Sequence, residues 1–254
     1  MNPESSAGSW KICNNANNEA GRAEWVKDQI FRISQDQERL TLIDCGAGQS
    51  PFREHITSCK INYRSHDFNA YKPSKETPGI QNETWDYPHH DFICEILEIP
   101  EIAASNIVLC TEVLEHVPDP VAVLRKLIAL CMDDGWIIIT VPFMSLMHQS
   151  PYWFSSGLSP YWFLYWSKNF GCEIENVQVS GDYADYLNQE IGRVFYSNRI
   201  LRRIGRYINF TRFIRFLIPQ NLAESGGFST FVVLRKPGTA TDQRNSPNST
   251  GGMS

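Results

Sequence analysis

The sequence predicts an α/β fold built on one doubly wound, mostly parallel sheet, and three observations support this prediction. Short apolar runs alternate with helical patterns along the chain, as they do in parallel βα units. Two of the runs, residues 107–110 and 136–141, are continuously apolar, which is typical of strands covered on both faces. A chain of 254 residues with 42% hydrophobic content is long enough to bury such a sheet.

Seven apolar runs predict the strands, and the periodic segments between them predict helices. One helix is predicted over residues 22–34, a second begins at Asp119 and Pro120, and a third is predicted over about residues 159–169. The strands are predicted near residues 40–45, 61–66, 90–95, 106–111, 136–142, 172–179 and 228–235.

The spacing and composition of the chain predict its domain organisation. The gap before the last strand is roughly 45 residues, far longer than a hairpin connection. We therefore expect residues 182–226 to form a helical cap inserted into a main domain of residues 21–181 and 227–236. Residues 1–20 and 237–254 are rich in Ser, Asn, Gly and Thr, so we expect both ends to be disordered.

Charge is distributed unevenly. The net charge of −5 argues against a general affinity for nucleic acid. Residues 191–219 nevertheless carry seven arginines and no acidic residue, so this segment is +7 and the remainder is −12. Its arginines interleave with apolar residues, which leaves two interpretations open. The segment is an amphipathic cap with a solvated basic face, or it contacts an anionic membrane or a phosphate-bearing substrate.

Two features of the composition predict a cytoplasmic protein. No apolar segment approaches the ~18 residues needed to span a bilayer, and the first residues lack a secretory pattern. Seven cysteines occur without a Cys-x-x-Cys pair. We expect them to be reduced, and four lie in apolar segments: Cys45, Cys94, Cys110 and Cys131.

A glycine-spaced turn follows the first predicted strand. Gly46 and Gly48 have no Cβ, so the turn can adopt positive φ and a ligand can lie against bare backbone. Ser50 is predicted to cap the next helix, with Pro51 at its first position. The third glycine of a dinucleotide site is absent near Pro51, which argues against a nicotinamide cofactor and an oxidoreductase.

Residues at the carboxyl ends of the strands form the candidate binding site, because ligands of open parallel sheets collect there. Asp67 is placed to accept hydrogen bonds from a ribose diol, although a solvated turn aspartate beside Asn69 is an equal interpretation. Glu95 is placed to accept an adenine amino proton, and Ile96 to cover the ring. The full candidate set is Asp44, Gly46, Ala47, Gly48, Asp67, Phe68, Glu95, Ile96, Thr111 and Glu112.

After the fourth predicted strand the chain reads Leu114-Glu115-His116-Val117-Pro118-Asp119-Pro120. Together with Ile43-Asp44-Cys45-Gly46-Ala47-Gly48, Asp67, residues 94–100 and Val141-Pro142-Phe143, this segment resembles the class I S-adenosylmethionine-dependent methyltransferases. The resemblance is to the small-molecule branch with the Leu-Glu-His signature, and it extends from about Leu40 to Val179.

The resemblance implies a three-layer Rossmann-like sandwich with strand order 3-2-1-4-5-7-6 and an antiparallel seventh strand. It also implies that Asp44, Gly46 and Gly48 surround the methionine half of S-adenosylmethionine, with Asp67 on the ribose and Glu95 near adenine. The cofactor carries an ammonium and a sulfonium but no phosphate. Acidic strand ends and a loop without Lys or Arg suit such a molecule.

The methyl acceptor is predicted to be an oxygen or nitrogen of a small molecule, with a sugar, nucleotide sugar or lipid-linked glycan among the candidates. His148 and Tyr152 are the candidate catalytic residues, and a structural role for His148 is an equal interpretation. Related enzymes commonly carry an Asp and an Arg after this element, and both are absent here. His116 is predicted to be structural.

Nine aromatic residues occur from Tyr152 to Phe170. They are predicted either to belong to a helix that packs on the sheet or to line the acceptor pocket.

No metal site is predicted, because the neighbouring side chains of His89 and His90 point to opposite faces of a strand. The alternative function is a membrane-associated, non-catalytic binding protein on a degenerate methyltransferase fold. It is suggested by the arginine-rich segment and by the missing Asp and Arg. The sequence leaves the oligomeric state open.

Overall fold

A computed structural model describes residues 11–13, 19–35, 37–82, 84–197 and 216–238. Within them, eight strands form one sheet in the order β1-β7-β8-β6-β5-β2-β3-β4. The strands are β1 (Lys11–Cys13), β2 (Thr41–Cys45), β3 (Asn62–Asp67), β4 (Phe92–Ile93), β5 (Ser105–Thr111), β6 (Cys131–Pro142), β7 (Glu173–Ser180) and β8 (Ser229–Arg235). The helices are α1 (Glu19–Ser34), α2 (Arg53–Ser58), α3 (Pro120–Leu130), α4 (Pro160–Asn169), α5 (Tyr183–Ser197) and α6 (Gln220–Ala223).

The predicted topology is confirmed. Numbered from β2, the seven predicted strands have the order 3-2-1-4-5-7-6, and the last strand is antiparallel to both neighbours. The eighth strand, β1, pairs in parallel with β7 and places Ile12 opposite Val179. The expectation of disorder over residues 1–20 is therefore wrong for Lys11–Cys13, since an edge strand depends on the partner that the fold supplies.

The central strands are buried on both faces, as their continuous apolar sequences predict. On one face Ile43, Val108 and Ile137 pack with α3 and α4. On the other face the alternate residues Leu42 and Ile107 pack with α1 and α2. Because side chains of a strand alternate between faces, each strand contributes to both clusters.

The two predicted helix starts have different outcomes. The Asp119 side chain accepts hydrogen bonds from Val121 N at 3.1 Å and Ala122 N at 2.9 Å, with Pro120 in the first turn, as predicted. The prediction for Ser50 and Pro51 is wrong, since α2 begins at Arg53. Ser50 has φ +54° and its N–H donates to Ala47 O at 2.7 Å, so the glycine turn extends beyond the expected cap.

Helix α4 accounts for part of the aromatic segment. Phe163 is fully buried, and Trp162, Trp166 and Phe170 pack against the same core cluster. Tyr161 is 61% exposed, so the pattern is that of an amphipathic helix on a sheet. Phe154, in the loop before α4, is exposed.

The predicted cap is described only at its ends, where α5 and α6 lie. Six of its seven arginines, and the tail from residue 239, fall outside the described residues. Six cysteines are free thiols: Cys45, Cys59, Cys94, Cys110, Cys131 and Cys172. None of the described helices combines the length and hydropathy needed to cross a bilayer.

Candidate active site

The glycine turn after β2 is shaped by close approach of the backbone to two other segments. Gly46 has φ +76° and Gly48 has φ +52°. A Cβ on Gly46 would lie 2.4 Å from Val113 Cγ2, and one on Gly48 would lie 2.9 Å from Trp85 Cζ2. The turn therefore requires glycine at both positions for its conformation and for space.

His66 ties this turn to the end of β4. Its carbonyl accepts hydrogen bonds from Gly46 N at 2.9 Å and Ala47 N at 2.8 Å. Its Nε2 lies 2.9 Å from Cys94 O, and its Nδ1 lies 3.3 Å from Gly46 N. Burial lowers the pKa of His66, so the neutral ring donates through Nε2 and accepts through Nδ1. The sequence did not single out this residue.

Asp67 ends β3 and points into the glycine turn. Its carboxylate is 5% exposed, with Oδ2 accepting from Gly48 N at 2.9 Å and Oδ1 accepting from Asn69 N at 2.9 Å. The interpretation as a solvated turn aspartate is therefore wrong, although the contact with Asn69 is present. Each carboxylate oxygen accepts more than one hydrogen bond, so capacity remains for a ligand hydroxyl.

Asp44 is fully buried beside the same turn. Its Oδ2 accepts a hydrogen bond from the Tyr63 hydroxyl at 2.9 Å, and its Oδ1 has no partner in the described part of the chain. Burial raises the pKa of Asp44 to about 7, and the nearby Asp67 charge acts in the same direction. A cation bound nearby would favour the ionised form.

Glu95 and Ile96 lie just after β4, which is shorter than the strand predicted near residues 90–95. Glu95 is exposed at the rim, whereas Ile96 is 6% exposed and belongs to a core cluster. Only a small part of the Ile96 side chain is thus accessible to a ligand. Phe68, after β3, contacts the ring of Tyr152 edge-on, with centroids 5.0 Å apart. This contact joins the loop after β3 to the loop after β6.

Thr111 and Glu112 lie at the end of β5. The Glu112 carboxylate accepts a hydrogen bond from Thr140 Oγ1 at 3.0 Å and pairs with Arg22 of α1 at 3.0 Å. Its backbone has φ +54°, and its N–H donates to Thr140 O at 2.8 Å. Glu112 is therefore tied to β6 and to α1.

A second group of polar side chains lies at the ends of β5 and β6. Glu115 is fully buried in the turn after β5, and its Oε1 lies 3.6 Å from His116 Nε2 and 4.0 Å from His148 Nε2. Within the described residues, these three side chains could hold a metal ion, with ligand atoms within 4.8 Å of one another. In the sequence, only His89 and His90 suggested a metal, and this group was not predicted.

Backbone carbonyls orient both histidines of this group. His116 Nδ1 is hydrogen bonded to Tyr152 O, and His148 Nδ1 lies 2.9 Å from Leu146 O. His116 is thus structural in the predicted sense, holding the turn against the loop after β6. His148 also has a backbone partner, as a structural role would require, and its Nε2 faces Glu115.

A family model described as a methyltransferase domain matches residues 19–211, which is more than half of the chain. The chain belongs to the class I S-adenosylmethionine-dependent methyltransferase family. A ubiquinone biosynthesis O-methyltransferase from Albidiferax ferrireducens is 32% identical over 76 residues, which are 30% of this chain and 25% of that protein. The one from Bordetella pertussis is 38% identical over 58 residues, which are 21% of this chain and 22% of that protein. The chain thus matches about a quarter of the length of these curated relatives.

Solved structures share the methyltransferase fold at low sequence identity. A protein from Galdieria sulphuraria assigned as a sarcosine dimethylglycine methyltransferase has TM-score 0.53 and 15% identity, covering 87% of this chain and 86% of that one. The (4+2)-cyclase SpnF has TM-score 0.51 and 13% identity, covering 92% of each chain. Such likeness establishes the fold, while the reaction depends on the site.

Proposed function

We propose that this protein transfers a methyl group from S-adenosylmethionine to a hydroxyl oxygen of a small molecule. The observation that carries the proposal is the pair of buried carboxylates, Asp44 and Asp67, at a glycine turn of a chain in this family. The curated relatives are O-methyltransferases by name, which favours oxygen over nitrogen as the acceptor.

The residues at the turn fit this cofactor. The segment 44–50 contains no Lys or Arg, and Asp44 keeps one oxygen without a partner among the described residues. These features favour a cation and disfavour a phosphate. We assign Gly46, Ala47 and Gly48 to the methionine half, Asp67 and Phe68 to the ribose, and Glu95 with Ile96 to the adenine. Thr111 and Glu112 complete the predicted rim.

When bound, the cofactor supplies an electrophilic methyl group on a sulfonium. In the proposed reaction the acceptor oxygen forms a bond to the methyl carbon while the carbon–sulfur bond breaks. The bonding electron pair remains on sulfur, and the hydroxyl proton leaves to a base or to water. The chain's task is to hold the acceptor in line and to exclude water.

The acceptor side is proposed to lie around Tyr152 and His148. The ring of Tyr152 contacts Phe68, next to the proposed ribose ligand Asp67. His148 precedes Tyr152 in the loop after β6, and this loop is held by hydrogen bonds between Gln149 N and Ile80 O and between Ile80 N and Met147 O. A role for either residue in proton transfer stays a prediction, as does a sugar or glycan acceptor.

Isothermal titration tests the cofactor assignment. We expect saturable heat with S-adenosylmethionine and with S-adenosylhomocysteine, and none with NAD. No heat from folded protein at millimolar S-adenosylmethionine would contradict the proposal. Transfer of labelled methyl to catechol compared with aniline tests the atom class, since methylation of the amine alone would contradict an oxygen acceptor.

The alternative of a membrane-associated binding protein depends on residues 191–219, most of which lie outside the described residues. Flotation with anionic vesicles at low salt is its direct test. If the protein stays in the soluble fraction, the membrane-associated alternative loses its support. The described residues add no observation in its favour.

A further inference from the structure

We infer that Glu115, His116 and His148 form a binding site for a divalent first-row transition-metal cation. Their ligand atoms lie within 4.8 Å of one another at the carboxyl ends of β5 and β6. The inference goes beyond the proposed methyl transfer, and only the role of the cation toward an acceptor rests on that function.

The Nε2 atoms of two histidines converge on the Glu115 carboxylate. A carbonyl oxygen can only accept, so the Nδ1 atoms of His116 and His148 donate to Tyr152 O and Leu146 O. In its neutral form each ring then carries its lone pair on Nε2, and both Nε2 atoms lie within 4.0 Å of Glu115 Oε1. A metal-bound histidine is oriented in this way, with its other nitrogen donating to a carbonyl.

Burial of the Glu115 carboxylate also favours a bound cation. The side chain is 0% exposed, and neither oxygen has a hydrogen-bond partner in the described part of the chain. A buried polar group without a partner is costly, and buried carboxylates are normally paired or bound to metal. Glu112 cannot neutralise the Glu115 carboxylate, since it is itself acidic and already pairs with Arg22 and Thr140.

The backbone around Glu115 holds it in this position. Its carbonyl accepts hydrogen bonds from Phe154 N at 2.9 Å and Ser155 N at 3.2 Å, both in the loop that follows His148. The turn after β5 and the loop after β6 are thus fastened together on two sides. The His148 side chain is 23% exposed, compared with 13% for His116 and 0% for Glu115, so a cation would reach the group from the His148 side.

The ligand types indicate which cations fit. Two imidazoles and one carboxylate suit manganese, iron or zinc better than magnesium or calcium, which prefer oxygen ligands alone. Three protein ligands leave coordination positions open for another molecule. Val113, two residues before Glu115, packs against Gly46, so this short segment links the proposed cation site to the glycine turn. An acceptor hydroxyl bound to it would lose its proton more readily.

Metal titration of the full chain tests the inference. Protein is treated with a chelator, desalted and titrated with MnCl2 alone, and the free ion is followed by its paramagnetic resonance signal. A parallel titration uses ZnCl2 in competition with a chromophoric chelator. We expect one ion per chain, and affinity at least tenfold weaker in His148→Ala and Glu115→Gln. His89→Ala, a histidine outside the group, should bind as the parent chain does.

The inference is overturned if neither ion binds the parent chain, or if His148→Ala and Glu115→Gln bind as tightly as it does. Circular dichroism establishes that the variants fold, and His148→Ala decides the matter if the buried Glu115→Gln chain does not. Calorimetry with S-adenosylhomocysteine on the metal-free chain reports the cofactor site separately. Metal binding without cofactor binding would contradict the proposed function alone, and the reverse would contradict the metal site alone.

Discussion

The Asp67 carboxylate accepts a hydrogen bond from the backbone N–H of Gly48 at 2.9 Å, across the gap between β3 and the turn after β2. A single side chain therefore fixes the glycine turn and lines the proposed ribose site. Its second oxygen accepts from Asn69 N at 2.9 Å, so both oxygens are held in place while each can still accept from a ligand. Removal of the Asp67 side chain should therefore weaken ligand binding by more than the loss of its own contact with the ligand, because the glycine turn is released as well.

Asp67→Ala is expected to weaken binding of S-adenosylhomocysteine by ~1.5–3 kcal/mol, or roughly 10- to 150-fold, through loss of charge-assisted hydrogen bonds. Isothermal titration measures the dissociation constant. The matched control is Asp86→Ala, an exposed aspartate between Asp67 and β4, which should leave binding unchanged. An unaltered constant in Asp67→Ala would refute the ribose assignment.

Gly46 and Val113 form a second testable pair, because a Cβ at Gly46 would lie 2.4 Å from Val113 Cγ2. Gly46→Ala combines this clash with the cost of positive φ, so we expect a loss of about 2–5 kcal/mol in the free energy of unfolding. Urea denaturation of Gly46→Ala, Val113→Ala and the double variant separates the two causes. The double variant should recover about 1–3 kcal/mol, leaving the backbone cost. Additive losses would show that the clash is not the cause.

The strands and the glycine turn could be predicted because their signals are local. Continuous apolar runs mark buried strands whatever their neighbours are, and two glycines with one intervening residue mark a turn. The absence of the predicted helix cap at Ser50 could not be foreseen, because Ser50 itself adopts positive φ, as Gly46 and Gly48 do. The edge strand β1 could not be predicted either, because its three residues form a strand only by pairing with β7.

The two groups of polar residues in the site also differ in how far the sequence could predict them. Asp44 and Asp67 follow consecutive predicted strands, so the rule for strand ends places them together. Glu115 and His148 are separated by a helix and a strand, and the rings that face Glu115 are oriented by backbone carbonyls, His148 by Leu146 O and His116 by Tyr152 O. One signal was available, because the same rule applied to Glu115 after β5 and His148 after β6 would have paired them.

Asp119 caps α3 through both Val121 N and Ala122 N. Asp119→Ala is expected to lower the free energy of unfolding by about 1 kcal/mol, which is about 2–4 °C in Tm for a domain of this size. Asp119→Asn retains the acceptor oxygen and should cost only a few tenths of that change. Thermal unfolding compares the two variants with the parent chain. Equal losses in both would contradict the capping role, and altered cofactor affinity is not expected.

Asp44 predicts a dependence of stability on pH. Burial raises its folded pKa from the usual 3.8 to about 7, with Asp67 raising it further and Tyr63 and Arg53 acting in the opposite direction. Between these pH values the folded state binds more protons than the unfolded state, so the contribution of this group to the free energy of unfolding falls as pH rises. Its stabilising contribution is complete below about pH 4 and is lost as pH passes through 7, which amounts to roughly 4 kcal/mol at most.

Asp44→Asn removes this titration while its amide oxygen still accepts from the Tyr63 hydroxyl. The free energy of unfolding of the variant, relative to the parent chain, should therefore increase from pH 4.5 to pH 8 by a large part of that amount. Urea denaturation at several pH values measures the difference, and Asp86→Asn serves as the exposed control. The variant should also bind S-adenosylmethionine more weakly at pH 8, because it cannot offer a negative charge to the ligand. A stability difference that stays constant between pH 4.5 and pH 8 would contradict a raised pKa of Asp44.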